Sequence, residues 1–231
     1  MGSNPTLSAI FNEMKLANLL FSTHAKIDVL RTIYFAGDGI SGRKISLLGE
    51  INPRSCQLAL QELEDLRIIY KNGTRRKHSF FLNRDHPLYK ELLEPLFEGE
   101  RKLYRQIAQA IIQVLSRKES DSLVAIWSFE NKGKGEREIG FVLLFGMDVS
   151  QKDIVSAEKS ASAAIRELLK TPVRVKAFTL KDIKEDSGFR NFTKGAIIRV
   201  LFGERPEDIA KDLGINRGSL HYFLSKSLYV S

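Results

Sequence analysis

Apolar side chains near the start of the chain recur at helical spacing. The face of the first predicted helix is formed by Ile27, Leu30, Ile33 and Tyr34, and Gly37-Asp38-Gly39 ends this helix. A short second helix is predicted over residues 43–48. The pattern therefore indicates two helices before residue 50, joined by a glycine-containing turn.

A third helix is predicted over residues 53–66. Asn52 is a suitable N-cap, and Pro53 suits the first helical position because the N–H that it lacks has no partner there. The apolar stripe of this helix is formed by Cys56, Leu60 and Leu63. Cys56 is therefore expected to be a small core residue rather than a reactive thiol.

Two apolar runs after the third helix predict a β-hairpin. The runs are Ile68-Ile69-Tyr70 and Ser79-Phe80-Phe81-Leu82, and Asn72-Gly73 between them is typical of a hairpin turn. Five basic residues and no acidic residue lie from Arg67 to His78. The connection between the two strands is therefore strongly basic.

Residues 86–118 have a helical pattern of their own. Pro95 and Gly99 are expected to interrupt it, and a helix is predicted over 100–117. Its apolar face is formed by Leu103, Ile107, Ile111, Val114 and Leu115. The segment is interpreted as a connector between two domains, although its apolar face also suits pairing with a second copy of the chain.

The second half of the chain alternates between strand and helix patterns. Buried-strand candidates lie at 123–127 and 140–145, and Ser150 caps a predicted helix that extends to about residue 170. The next candidate strand, at 173–178, alternates apolar and basic side chains. Two strands, a helix and a third strand within about 55 residues indicate a small α/β layer.

Composition and charge narrow the choice of partners. The 231 residues include 36 basic and 28 acidic side chains, a net charge of +8, and residues 1–85 hold 12 of the basic and 8 of the acidic ones. Lysine and arginine neutralise phosphates, so nucleic acid is the natural partner to test. The single cysteine excludes an internal disulfide, and the four histidines show no ligand spacing, so neither a metal nor a cofactor is expected.

Membrane insertion and secretion are not expected either. The longest apolar run, 139–147, is shorter than a membrane-spanning helix requires. The first residues lack a basic segment ahead of an apolar stretch, so no secretory signal is predicted. A cytoplasmic protein without a membrane partner is the expectation.

Three helices followed by a basic hairpin resemble the winged helix-turn-helix of bacterial and archaeal transcription regulators. The resemblance rests on the helix order, the turn chemistry of Asn52-Pro53 and the basic hairpin, and it covers about the first third of the chain. In that family the third helix enters the major groove of DNA, and the hairpin, or wing, contacts a phosphate or the minor groove. Double-stranded DNA is therefore an expected partner.

The resemblance implies which side chains contact DNA. Arginine and glutamine make bidentate hydrogen bonds to base edges, so polar residues of the third helix are candidates for reading bases. These candidates are Arg54, Ser55, Gln57 and Gln61. The phosphate candidates are Arg43 and Lys44 in the second helix and Lys71, Arg75, Arg76 and Lys77 in the wing, with a solvated turn as the alternative. Leu58 on the same face suits a thymine methyl group or a neighbouring chain.

Residues 125–142 resemble part of a small nucleotidyltransferase domain. The signature of that family is a strand that ends in Gly-Ser, a loop with Arg-Gly, and a strand with an acidic-apolar-acidic triplet whose carboxylates hold Mg²⁺. In this chain Glu130-Asn131, Lys134-Gly135 and Glu138-Ile139-Gly140 stand at those places. The layout is similar, and the residues differ.

The differences remove most of the metal-binding chemistry. One carboxylate of the triplet is replaced by glycine, and the third strand carries Arg174 and Lys176 where some members have a further carboxylate. Phosphoryl transfer depends on the metal and on positioning, so a domain without catalytic activity is predicted. Candidates for binding a small anionic effector are Lys132, Lys134 and Arg137, with a solvated basic loop as the alternative.

The last forty residues admit two interpretations. Residues 196–202 fit a strand, as the nucleotidyltransferase resemblance suggests, or the start of a second helix-turn-helix. The second interpretation is supported by 206–222, which has an Ile-Ala pair, a Leu-Gly turn and a new helical pattern. A second DNA-binding element over 205–228 is therefore an alternative to helices that pack on the sheet.

Together these patterns predict an α+β protein in three parts. The parts are a winged helix-turn-helix at 1–85, a helical connector at 86–118 and a small nucleotidyltransferase-like α/β domain at 119–231. The predicted function is sequence-specific transcriptional regulation by a homodimer that is not an enzyme, with the second domain sensing a ligand or helping dimerisation. The alternatives are an active Mg²⁺-dependent nucleotidyltransferase with a variant site and a non-enzymatic adaptor that binds protein.

Overall fold

The computed structural model describes residues 20–37, 39–74, 77–131, 138–185, 189, 196–214 and 227–229. The chain divides into two compact units, Met1–Phe97 and Glu98–Ser231. Each unit contains helices and strands, which confirms the mixed α and β composition expected from the sequence. The predicted connector, 86–118, is divided between the two units.

The first unit places three helices ahead of an antiparallel hairpin. The helices are α1 (His24–Ala36), α2 (Gly42–Leu48) and α3 (Pro53–Asp65), and the strands are β1 (Ile69–Thr74) and β2 (Lys77–Leu82). Ile40 forms an additional antiparallel bridge with Phe80. The core contains the buried side chains of Val29, Leu30, Ile33, Ile45, Leu63 and Ile68.

Side-chain caps set where these helices begin. Thr23, Ser41 and Asn52 each accept a hydrogen bond from a backbone N–H in the first turn of α1, α2 and α3. Pro53 takes the first position of α3, as predicted. The stripe predicted for α3 is also confirmed, since Cys56, Leu60 and Leu63 are all buried.

The hairpin continues past the turn predicted from the sequence. Asn72 and Gly73 belong to β1 and pair with Ser79 and His78, and Thr74 pairs with Lys77 beyond them. The prediction of a turn at Asn72-Gly73 is therefore wrong, because the strand ladder extends beyond these residues. Residues 75 and 76, which connect the strands, lie outside the described residues.

A long helix passes through both of the predicted breaks. A π-helical turn (Tyr89–Leu93) leads into α4 (Glu94–Val114), which contains Pro95 and Gly99. The N–H of Glu94 bonds to the carbonyl oxygen of Tyr89, five residues back, so Pro95 follows a point where the hydrogen-bond pattern is already shifted. The predicted interruption at Pro95 and Gly99 is wrong.

The same helix ends earlier than predicted, at Val114 rather than at 117. The backbone N–H of Ser116 donates to Oε2 of Glu119 at 2.7 Å, and Oγ of Ser116 accepts from the N–H of Glu119. This capping box begins the next helix, α5 (Arg117–Asp121).

The second unit contains a mixed sheet. Its described strands are β3 (Leu123–Asn131), β4 (Glu138–Phe145), β5 (Arg174–Thr179), β6 (Ala196–Gly203) and β7 (Ser227–Tyr229), in the order β5-β4-β3-β6-β7. β3 is antiparallel to β4 and β6, whereas β4–β5 and β6–β7 are parallel pairs. The described helices beside these strands are α6 (Gln151–Leu169), α7 (Leu180–Glu185) and α8 (Pro206–Asp212).

Several predictions for this unit are confirmed. The order strand, strand, helix, strand is present, and Ser150 caps α6 through a hydrogen bond from the N–H of Asp153. The segment 196–202 is a strand, so it does not open a second helix-turn-helix. Among the helices of the described residues, none combines the length and apolar character needed to cross a bilayer.

Both faces of the sheet are covered by helices or by Phe189. One face packs Ile126, Phe141 and Leu143 against α4 and α6. The other face packs Trp127, Phe129 and Leu144 against residues that include Ile183, Phe189 and Ile209. Burial on both faces accounts for the nearly continuous apolar runs of the central strands.

A buried ammonium group joins α1 to α3. Nζ of Lys26 lies 2.6 Å from Oε2 of Glu62 and donates a hydrogen bond to Oγ of Ser22 at 3.0 Å. The side chain of Lys26 is 7% exposed, whereas that of Glu62 is 55% exposed. A buried charge requires a partner, so this ion pair favours one packing of α3 on α1.

We expect Glu62→Gln to destabilise the protein by about 1–2 kcal/mol, because it removes this carboxylate from the ammonium of Lys26. The exposure of Glu62 keeps the effect small for a buried pair. Lys26→Met fills the same space with an apolar chain. In this background, Glu62→Gln should cause almost no further loss of stability. Urea unfolding of the four proteins measures this coupling, and additive losses would contradict it.

Candidate functional site

A groove of about 650 Å³ lies among α2, α3 and the hairpin of the first unit. Apolar groups in its lining include Cys56, Leu60 and Phe80. Four of the predicted DNA contacts also line it, namely Arg43, Gln57, Gln61 and Lys71. The fold therefore brings together candidate residues from three separate segments of the chain.

The turn between α2 and α3 positions these side chains. Oγ of Ser46 donates to the carbonyl oxygen of Ile51 at 2.8 Å, and the N–H of Ile51 donates to the carbonyl oxygen of Ser46 at 3.0 Å. A Cβ at Gly49 would lie 2.8 Å from Oγ1 of Thr32 in α1. Glycine therefore allows this turn to pack closely against α1, which fixes α2 and α3 around the groove.

Alternation along the hairpin gives it two different faces. Tyr70 and Phe81 are direct partners, and their rings are stacked with centroids 5.2 Å apart. The next pair, Lys71 and Phe80, lies on the opposite face and lines the groove. Phe80 is buried and Lys71 is exposed, so this face adds one exposed positive charge to the groove.

The remaining candidates on α3 do not line the groove. At about 100° per residue, Arg54 and Leu58 project opposite the buried stripe, while Ser55 turns to the side away from Gln57. All four side chains are exposed. Lys44, in the first turn of α2, is also exposed and is not part of the groove lining.

The wing candidates fall largely outside the described residues. Arg75 and Arg76 are not among the residues that the structure describes. For Lys77 only the backbone is described, as the ladder partner of Thr74. Their predicted contacts with phosphates therefore remain predictions from the sequence.

One end of the groove is acidic, which was not predicted from the sequence. Glu64 and Asp65, in the last turn of α3, line it together with His78. Nδ1 of His78 is buried with no hydrogen-bond partner among the described residues. The signal was present in the sequence, since α3 has Arg54 near its start and its carboxylates near its end. A polyanion is therefore favoured at the start of α3 and disfavoured at its end.

In the second unit, Gly140 stands where the nucleotidyltransferase resemblance places a metal carboxylate. A Cβ at this position would lie 1.9 Å from Cζ of Phe129, its direct partner on β3. The Phe129 side chain is 1% exposed, so its ring cannot move aside freely. A carboxylate at position 140 would require the core around Phe129 to be rebuilt.

Basic residues lie beside this position. Arg174 is the ladder partner of Gly140, and Lys176 is that of Val142. Nζ of Lys176 lies 3.2 Å from Oε1 of Glu158 in α6, whose other oxygen accepts a hydrogen bond from the N–H of Ala177. Within the described ranges, no group of three or more His, Cys, Asp or Glu side chains is arranged to hold a metal ion.

Two other predictions for this unit fall partly outside the described residues. The anion candidates Lys132, Lys134 and Arg137 lie in such a segment, as do residues 215–226 of the alternative helix-turn-helix at 205–228. The first helix of that element, α8, is described, and its Ile209 packs in the core beneath the sheet. At least this helix therefore contributes to the core.

Comparison with known proteins assigns no family to the chain. It matches no protein-family model, and comparisons with curated proteins and with solved structures give no match. The function is therefore argued from the arrangement of the chain's own residues.

The thiol in the groove lining should react slowly. Burial raises the pKa of Cys56 from 9.0 to about 11, and the residue is 2% exposed. We expect iodoacetamide to alkylate it at pH 8 at least about a hundredfold more slowly than an exposed cysteine, because the thiolate is the nucleophile. Mass spectrometry measures the rate, with Cys56→Ser/Leu47→Cys as the exposed-thiol control. Rapid alkylation of the folded protein would contradict this assignment.

The close contact between Phe129 and Gly140 predicts that a larger residue at position 140 destabilises the protein. We expect Gly140→Ala to destabilise the protein by about 1–3 kcal/mol, because the added methyl group overlaps the ring. In a Phe129→Leu background the same change should have a clearly smaller effect, since the smaller side chain leaves room. Urea unfolding of the single and double variants tests this, and equal effects in both backgrounds would show that the ring is not the obstacle.

Proposed function

We propose that the chain is a sequence-specific DNA-binding transcriptional regulator whose first unit is a winged helix-turn-helix. The observation that carries the proposal is the convergence of Arg43, Gln57, Gln61 and Lys71 on one groove. These are the residue types that contact phosphates and base edges, and they come from the two helices and the hairpin that the winged-helix resemblance assigns to DNA.

Phosphates and bases are contacted by different parts of this surface. Arg43 and Lys71, with the basic wing, neutralise phosphates and release counterions. Gln57 and Gln61 extend from α3 towards base edges, where glutamine suits adenine. Glu64 and Asp65 repel phosphates from the end of α3, so the part of this helix that precedes them enters the major groove.

The second unit regulates or assembles the protein and does not catalyse nucleotide transfer. The packing of Phe129 on Gly140 and the basic residues of β5 support this, because both oppose a pair of metal-binding carboxylates. A small anionic effector at the 132–137 segment is its proposed ligand. A homodimer is proposed because one small module buries a limited DNA surface, and two half-sites raise affinity and specificity.

We expect binding to a duplex selected from a random pool to weaken steeply between 50 and 200 mM salt. Arg43→Ala and Lys71→Ala should each reduce the slope of log K against log salt by about 1, because each removes one phosphate contact. Lys152→Ala, which removes an exposed charge from α6, is the matched control and should leave the slope unchanged. Fluorescence anisotropy measures all four proteins.

The base-reading variants should behave differently in the same titration. Gln57→Ala and Gln61→Ala should each reduce the preference for the selected duplex over a scrambled one by about 1–3 kcal/mol and leave the salt slope unchanged. Failure to bind DNA at any salt concentration would overturn the proposal. Binding without any sequence preference would overturn its regulatory part.

A further inference from the structure

We propose that Leu58 makes DNA recognition depend on the C5-methyl group of a thymine in the major groove. The inference rests on the proposed function of the first unit and deepens it. It assigns one apolar contact to α3 in addition to the polar contacts described above.

The position of Leu58 on α3 is the first observation. Its side chain is 53% exposed, although it is a large apolar group. Arg54 precedes it by one helical turn and Gln61 follows it by nearly one turn, and both are exposed. The three side chains form an outer row on the face opposite the buried stripe. Leu58 therefore lies between two hydrogen-bonding residues on the outer face of α3, next to Gln61 of the groove lining.

The core does not require Leu58. The stripe that packs α3 into the first unit is complete without it, since Cys56, Ala59, Leu60 and Leu63 are all buried. The exposure of a single leucine does not by itself indicate a binding site, because such residues are common on protein surfaces. The position of Leu58 at the centre of the outer row is what indicates a contact with a partner.

The chemistry of the major groove determines what Leu58 can contact. Base edges there carry hydrogen-bond donors and acceptors, and the one apolar group among them is the thymine methyl. Against a polar edge, Leu58 would cover donors or acceptors without bonding to them. Against the methyl group it removes apolar surface of both partners from water. The helix therefore discriminates in favour of thymine at this position.

Charge favours DNA over a second copy of the chain as the occupant of this face. The exposed residues on α2, on the start of α3 and on the hairpin include Arg43, Lys44, Arg54 and Lys71. Two copies paired through antiparallel α3 helices would set Arg54 against the carboxylates at the end of the helix, whereas the phosphates of DNA neutralise all four of these cations.

The test replaces single thymines of the selected duplex by deoxyuridine, which lacks only the methyl group. For the wild-type protein we expect one thymine per half-site at which this change weakens binding about threefold to fivefold, the value of one buried methyl group. Leu58→Ala should bind the thymine and uracil duplexes equally at that position, and Leu58→Met should retain the preference. Leu168→Ala, which shortens a leucine 40% exposed on α6, is the control and should behave as the wild type.

A second substitution separates the methyl group from the rest of the base. With a C·G pair at the same position, 5-methylcytosine should restore part of the affinity for the wild-type protein and none for Leu58→Ala. Thermal melting and analytical ultracentrifugation of each variant monitor its fold and its association state.

The outcomes distinguish the inference from the function on which it rests. If no duplex is selected from the pool, the proposed function fails. If a duplex is selected but Leu58→Ala keeps the wild-type ratio of thymine to uracil binding at every position, the inference alone is overturned. A retained ratio together with a loss of self-association would assign Leu58 to a contact between copies of the chain.

Discussion

The close packing of the α2–α3 turn against α1 is the constraint on which the first unit depends. At Gly49 the backbone approaches Thr32 so closely that a methyl group would touch its hydroxyl oxygen. The paired hydrogen bonds between Ser46 and Ile51 hold the turn in this position. Both helices then pack their buried stripes on α1 and leave their polar faces around the groove. The groove is a consequence of this turn, and the DNA contacts proposed for Arg43 and Gln57 depend on it.

A second glycine has the opposite effect in the second unit. At Gly140 the missing side chain makes room for a buried ring of the same sheet, and the ring then fills the space that a side chain at position 140 would need. A larger residue at position 140 would therefore cost stability, because Phe129 contributes to the core on one face of the sheet. The basic residues on β5 are compatible with this arrangement. Position 140 has no metal-binding carboxylate whose negative charge they would neutralise.

Local signals in the sequence predicted the elements that are fixed locally. The caps at Asn52 and Ser150 and the stripe of α3 depend on residues within one or two turns, and they were predicted correctly. The hairpin turn was misplaced because strand pairing extends β1 beyond Asn72-Gly73, and pairing depends on both strands. The continuity of α4 was not predicted, because the π-helical turn that precedes Pro95 has no recognisable pattern in the sequence.

In the candidate site too, some features follow from the local sequence and others depend on contacts between separate segments of the chain. Residue type and helical periodicity were enough to nominate Gln57 and Gln61, but only the fold shows that Lys71 faces the same groove and that Arg54 does not. The meaning of Gly140 depends on its partner across the sheet, which the sequence pattern does not identify. The positions of the charged residues also matter, because α3 contains both basic and acidic side chains. Its basic start and acidic end, more than the net charge of +8, are the reason that we propose DNA as the partner of this surface.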